Sequence, residues 1–81
     1  MDNTLEYKGY HTSIEVGIED GIFYGKIEGI MDLVNFMSDI SEGIPGIIRE
    51  FHSAVEDYLE FCREVGKSPD EGVESEEVKY A

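Results

Sequence analysis

The chain has 81 residues, of which 19 are acidic and 6 are basic, so its formal net charge is −13. A chain this short predicts one small domain with a marginal core, which oligomerisation or a partner would help to stabilise. Strong negative charge disfavours contact with nucleic-acid phosphates and anionic membranes, and it attracts basic proteins. Such charge also keeps a small protein in solution, and composition alone favours this simpler explanation.

The composition also bears on the compartment. Hydrophobic residues make up 41% of the chain and charged residues 31%, as in an ordinary globular protein. We find no apolar run long enough to cross a bilayer and no secretory signal. Cys62 is the single cysteine, which excludes an internal disulfide and favours a reducing environment. We therefore expect a cytoplasmic protein.

The first half of the chain predicts a polar start followed by a strand. Residues 1–6 are polar, and we expect them to be loose. In residues 12–18, Ile14, Val16 and Ile18 alternate with small or polar residues. This period of two predicts a half-buried strand with those three side chains on its inner face.

A hairpin and a second strand are predicted next. Asp20 and Gly21 follow the first strand, and an Asp-Gly pair supplies the positive φ angles of a tight turn. The second strand covers residues 22–28. Its alternation places Phe23 on one face and Tyr24 on the other.

The third predicted strand covers residues 33–38, with the sequence LVNFMS. It is apolar on both sides, so alternation does not assign its faces.

Gly25 interrupts the second strand, which predicts a bulge or a close approach of two backbones.

A long amphipathic helix is predicted from about Ile44 to Gly66. Pro45 suits the first turn, where a missing N–H has no cost, and Gly66 suits the C-terminal stop. At about 100° per residue, the apolar side chains form one stripe: Ile44, Ile47, Ile48, Phe51, Val55, Tyr58, Leu59, Cys62 and Val65. A helix with such a face needs a sheet to pack on.

These elements predict an α+β fold in which a three-stranded antiparallel β-meander is packed by one long C-terminal helix. We expect residues 1–69 to form the domain. Residues 70–81 are rich in acids and poor in apolar side chains, so we expect an acidic, flexible tail.

No pattern of catalytic or metal-binding residues is recognisable. His11, His52 and Cys62 match no zinc spacing, and Cys62 lies in the centre of the apolar stripe, as a small core residue would. The carboxylates match no calcium loop, and there is no phosphate loop or nucleophile elbow. We therefore expect no catalysis, no cofactor and no metal ion.

The predicted helix concentrates its acids on the exposed side. Glu56, Glu60 and Glu64 recur at four-residue spacing, and each like-charge pair costs a few tenths of a kcal/mol. A solvated face accounts for this, and so does electrostatic matching to a basic partner. On the second hypothesis, Glu56, Asp57, Glu60, Glu64 and the adjoining tail acids contribute to partner binding, and an exposed part of Phe61 anchors a subunit or partner contact.

Three segments together resemble HicB-type antitoxins of the HicA–HicB toxin–antitoxin system. They are YKGYHTSIEV at residues 7–16, EDGIFYGKIEGI at residues 19–30 followed by DLVNF, and FHSAVEDYLEFCREVGKSP at residues 51–69. Their order and spacing resemble those of the family, and the stretch from the first segment to the last, residues 7–69, is about three quarters of the chain. The resemblance implies a partial RNase H-like fold without the acidic nuclease centre, and hence no catalysis.

The resemblance also implies a partner. HicA is a small basic ribonuclease of double-stranded-RNA-binding-like fold that cleaves mRNA, and HicB masks its active site. Family members form homodimers or tetramers. Two departures are visible: the stretch EGIPGII at residues 42–48 is more apolar than usual, and no ribbon-helix-helix or helix-turn-helix segment follows. We therefore expect no direct nucleic-acid contact.

Two alternatives to an antitoxin-like binding module remain. One is an orphan regulatory or structural oligomer without catalysis, which a gene neighbourhood without a small basic partner would favour. The other is a degenerate RNase H-like nuclease, which activity with magnesium or manganese would reveal.

Overall fold

Five short strands precede one long helix in the computed structural model, which describes residues 3–68. The elements are β1 (Thr4–Tyr7), β2 (Tyr10–Ser13), β3 (Glu15–Gly17), β4 (Ile22–Lys26), β5 (Asn35–Asp39), a 3-10 turn (Ile40–Glu42) and α1 (Gly43–Val65). All strand pairs are antiparallel, with β1 and β2 in one sheet and β3, β4 and β5, in that order, in another. The predicted α+β class is confirmed, but five strands in two sheets replace the single three-stranded sheet. The predicted tail lies outside the described residues.

The two sheets adjoin through the kink between β2 and β3. Only Ile14 separates these strands, so the predicted strand over residues 12–18 is broken there. The backbone N–H of Glu28 donates to the carbonyl of His11 at 2.8 Å, and the Thr12 hydroxyl donates to the carbonyl of Lys26 at 2.7 Å. Thr12 is fully buried, and this bond satisfies its hydroxyl where the ladder is interrupted.

The polar start of the chain forms a hairpin, so the prediction that residues 1–6 are loose is wrong for those in β1. Lys8 and Gly9 join β1 to β2 with φ values of 54° and 84°. Positive φ at both central residues is the requirement of a two-residue hairpin turn. A Lys-Gly pair is a weaker signal for this turn than Asn-Gly or Asp-Gly, which explains why the pattern missed it.

The hairpin between β3 and β4 is looser than predicted. Its loop covers residues 18–21, and the Gly17 carbonyl accepts from the N–H groups of Asp20 at 3.2 Å and Gly21 at 2.8 Å. Gly21 does adopt a positive φ, of 68°. Because β3 ends at Gly17, Ile18 belongs to the loop and is 83% exposed. The predicted inner position of Ile18 is therefore wrong.

Helix α1 packs on one face of the strands and supplies most of the core. Phe51, Val55 and Cys62 are fully buried, and the ring of Phe36 on β5 lies 5.5 Å from the ring of Phe51. The predicted core position of Cys62 is confirmed. Within residues 3–68, the buried hydrophobic side chains are Tyr10, Ile27, Phe36, Ile47, Phe51, Ala54, Val55, Tyr58 and Cys62.

The ends of the predicted stripe do not reach this core. Ile44 and Val65 are more than half exposed, since they lie in the first and last turns of α1. The C-terminal stop is as predicted: Gly66 adopts a left-handed conformation, and the N–H of Lys67 donates to the carbonyl of Cys62 at 2.9 Å. Hydrogen bonding of this kind closes a helix end.

Two glycines allow the layers to approach closely. A β-carbon on Gly25 would lie 2.8 Å from the Thr12 hydroxyl oxygen and 3.2 Å from the backbone carbonyl oxygen of Ser13, so the predicted close backbone approach is confirmed. A β-carbon on Gly46 would lie 2.6 Å from Cβ of Glu42 and 2.8 Å from Oγ of Ser38. The absent side chain at Gly46 therefore lets the start of α1 lie directly against β5.

The contact at Gly46 predicts an inverted response to alanine. An exposed helical Gly→Ala change stabilises by about 1 kcal/mol, but we expect Gly46→Ala to destabilise by about 1–3 kcal/mol because of overpacking. Urea unfolding measures the difference. Ser53→Ala, on the exposed side of α1, is the matched control and should stay within about 0.5 kcal/mol of the parent. A more stable Gly46→Ala variant would contradict the packing.

Candidate functional site

Four of the five side chains predicted to contact a partner lie together on α1. Asp57, Glu60, Phe61 and Glu64 are exposed, and their spacings of three and four residues make them neighbours on the helix surface. Phe61 is 48% exposed and lies at one edge of the group, beside Asp57 and Glu64. We call these four residues the helix patch.

The helix patch keeps part of its charge uncompensated. Glu60 forms an ion pair with Arg63, which lies three residues further along α1. Within residues 3–68, neither Asp57 nor Glu64 has an ion pair. An outside cation therefore finds two carboxylates beside an exposed aromatic ring, a combination that suits contact with a basic protein surface.

Glu56, the fifth predicted contact, already has partners within the chain. The Tyr7 hydroxyl donates to Oε2 of Glu56 at 2.6 Å, and Nζ of Lys8 lies 2.7 Å from the same oxygen. The Tyr7 ring stacks on the imidazole of His52, with centroids 3.9 Å apart. Glu56 therefore ties the first hairpin to α1, and it offers less to a partner than Asp57 or Glu64.

These contacts shift three titrations. The hydrogen bond from Lys8, followed by that from Tyr7, lowers the pKa of the Glu56 carboxyl below its ordinary value. The hydrogen bond to Glu56 raises the pKa of Tyr7 and also that of Lys8. A lowered carboxyl pKa stabilises the folded state above the unfolded carboxyl pKa, and that stabilisation disappears as the pH falls through the folded value. The raised pKa values act at the alkaline end: their contribution is complete below the unfolded values and disappears above the folded ones.

A second exposed surface lies on the side of β3, β4 and β5 that points away from α1. Phe36 and Ser38 on β5 are buried, whereas Met37 between them is 60% exposed. Tyr24 on β4 pairs with Met37 and is 42% exposed. These residues and their neighbours line a shallow depression of about 640 Å³. We call it the sheet face; its apolar centre is Ile22, Tyr24 and Met37, and its charged rim is Glu15, Asp20, Lys26 and Glu28.

The sequence predicted this surface only in part. The opposite faces of Phe23 and Tyr24 follow from alternation, and register places Phe23 opposite the buried Ser38 and Tyr24 opposite the exposed Met37. Faces in the third strand were not assignable, because its apolar residues occupy both sides. The sequence signal for this surface was the absence of alternation in residues 33–38, because apolar residues on both sides of a strand are typical of a strand that is covered on both faces.

The described part of the chain lacks a cluster of metal-ligating side chains. No group of three or more His, Cys, Asp or Glu residues within it is placed to hold a metal ion. Asp32, in the connection between β4 and β5, forms an ion pair with Nζ of Lys67 at 2.6 Å. Residues 3–68 also contain no helix long and apolar enough to cross a membrane.

Comparisons with protein-family models, with curated proteins and with solved structures gave no match. The resemblance to HicB-type antitoxins therefore depends on the three sequence segments alone.

The contacts of Glu56 predict a pH-dependent stability difference. We expect Glu56→Gln to be less stable than the parent at neutral pH, where the carboxylate holds Tyr7 and Lys8. The difference should shrink as the pH falls through the lowered pKa of Glu56, because the parent then loses the charge as well. Urea unfolding of both proteins between about pH 3 and pH 7 measures it.

Asp57→Asn is the matched control for this experiment, since it removes a neighbouring carboxylate that has no ion pair within residues 3–68. Its stability difference from the parent should stay small throughout. A Glu56→Gln difference that is constant across the acid range would contradict the role given to the Glu56 carboxylate.

Proposed function

We propose that this chain is an antitoxin-like protein-binding module that neutralises a small, basic, HicA-type mRNA-cleaving ribonuclease by covering its surface. The helix patch is the observation that carries this proposal. Phe61 supplies an exposed aromatic anchor, and the carboxylates beside it supply charge of the sign that a basic ribonuclease attracts.

The net charge of −13 gives the proposal a physical mechanism. A ribonuclease needs a cationic surface to hold RNA phosphates. An acidic module is drawn to the same surface and repels RNA, so it competes for the site instead of joining the RNA there. Neutralisation of this kind requires no catalytic group, cofactor or metal ion, and no direct contact between this chain and nucleic acid.

We also assign the chain a partial RNase H-like arrangement, in which β3, β4 and β5 correspond to the antitoxin meander and α1 to its helix. The strands are neighbours in chain order, and α1 follows them and packs on one side, which supports the assignment. A homodimer or tetramer is part of the proposal as well. Large exposed apolar side chains such as Leu33 and Ile44 support it, because oligomers cover such surfaces.

Co-expression tests the proposed function. The chain is produced with a tag together with the small basic open reading frame beside its gene, and both are purified at about 150 mM salt, where exposed charges are partly screened. We expect co-purification and loss of the partner's mRNA cleavage. Failure to co-purify, or undiminished cleavage in the complex, would refute the proposal.

Variants of the helix patch test its role in that complex. We expect Phe61→Ser to weaken binding at least tenfold, which corresponds to about 1.4 kcal/mol, mainly through faster dissociation. Asp57→Asn with Glu64→Gln should slow association and reduce its salt dependence. The pair Glu19→Gln with Glu50→Gln removes the same charge outside the patch and is the matched control. Equal effects of the two charge pairs would show that only net charge matters.

A further inference from the structure

The sheet face differs from an ordinary solvent-exposed sheet surface. When one side of an antiparallel sheet faces water, its outward residues are usually polar. Here Ile22, Tyr24 and Met37 point outward from adjacent positions on β4 and β5, as their pairing shows. Tyr24 and Met37 are among the exposed large apolar side chains. An apolar surface is therefore exposed on the side of the sheet opposite to the one that α1 covers.

Gly17 determines how closely the apolar side chains of the sheet face pack on β3. Gly17 pairs with Ile22 across β3 and β4. A β-carbon on Gly17 would lie 3.3 Å from Ile22 and 3.6 Å from the Tyr24 ring. The glycine therefore lets Ile22 and Tyr24 lie close against the backbone of β3, and both side chains line the shallow depression. Concave apolar surfaces with a polar edge are typical of binding sites.

The charged rim indicates what kind of molecule fits. Glu15, Asp20 and Glu28 border the depression, and Lys26 is the one base among its lining residues. Within residues 3–68 none of these three acids takes part in an ion pair, unlike Glu42, Glu56 and Glu60 on the helix side. A cation that reached the rim would therefore find carboxylates without a competing partner in that part of the chain.

We propose that the sheet face is a second protein-docking surface, and that its occupant is a cationic amphipathic segment of a partner protein. The apolar side of that segment covers Tyr24 and Met37, and its basic residues pair with Glu15, Asp20 and Glu28. A second copy of this chain fits less well, because it would bring its own acidic rim against the first. The sheet face and the helix patch lie on opposite sides of the sheet, so one docked segment does not occlude the other.

Two synthetic peptides of equal charge test this assignment. One is a 14-residue amphipathic helix with Leu on one side and Lys on the other, and the second has Ser in place of each Leu. Each is titrated into the isotope-labelled chain at about 150 mM salt, and amide chemical shifts are followed. We expect the Leu/Lys peptide to shift the amides of Gly17, Ile22, Tyr24 and Met37, and to bind at least tenfold more tightly than the Ser/Lys peptide.

Matched variants separate this surface from the helix patch. Tyr24→Ser with Met37→Ser should weaken the Leu/Lys peptide at least tenfold, whereas Phe61→Ser, which also removes an exposed aromatic ring, should leave its affinity unchanged. Glu15→Gln with Glu28→Gln keeps the apolar contacts and should reduce the salt dependence of binding. Thermal unfolding verifies that each variant is folded.

Three results would overturn the proposal. They are equal binding of the two peptides, shifts centred on the helix patch, and a sheet-face dimer of this chain that the Tyr24→Ser and Met37→Ser pair dissociates. The peptides replace the ribonuclease in this experiment, so its outcome is independent of whether a toxin co-purifies.

Discussion

The packing of α1 against β5 is the constraint on which the rest of this structure depends. Phe51 and Val55 are fully buried in this contact, and Gly46 lets the helix start touch Ser38. A helix of this length is not stable alone in water, so its apolar stripe must be covered by the strands. Once that face is committed to the core, the opposite sides of both layers become the molecular surface.

Both exposed surfaces combine large apolar side chains with carboxylates, but they differ in shape. The helix patch lies on the convex surface of a helix and has Phe61 at its edge, whereas the sheet face is a shallow depression around Tyr24 and Met37. Carboxylates border both. Electrostatic attraction would bring a cationic protein to either one, but shape and apolar contact would decide which segment is retained. A small chain can in this way present two separate contacts without enlarging its core.

The sequence predicted what depends on strong periodicity and missed what depends on register. The middle of the stripe around Phe51 and the stop at Gly66 follow from one helix's own pattern, and both were right, whereas the two ends of the stripe are exposed. The first hairpin depends on an ordinary Lys8 in a left-handed conformation, which local preference disfavours. Which side chains of β5 point toward the core depends on the strand with which β5 pairs, and the sequence of β5 alone does not give that pairing. In the candidate site, the positions of Asp57 and Phe61 were predictable, whereas the engagement of Glu56 by Tyr7 requires a contact 49 residues away.

The turn at Lys8 links backbone conformation to tertiary contact. Its φ of 54° suits Asn or Gly better than Lys, yet only a long cationic side chain reaches Glu56 from this position. Release of the hairpin from the helix would remove the ion pair, while the two-residue turn would still require the unfavourable backbone geometry. The ion pair to α1 therefore offsets part of the backbone cost at Lys8.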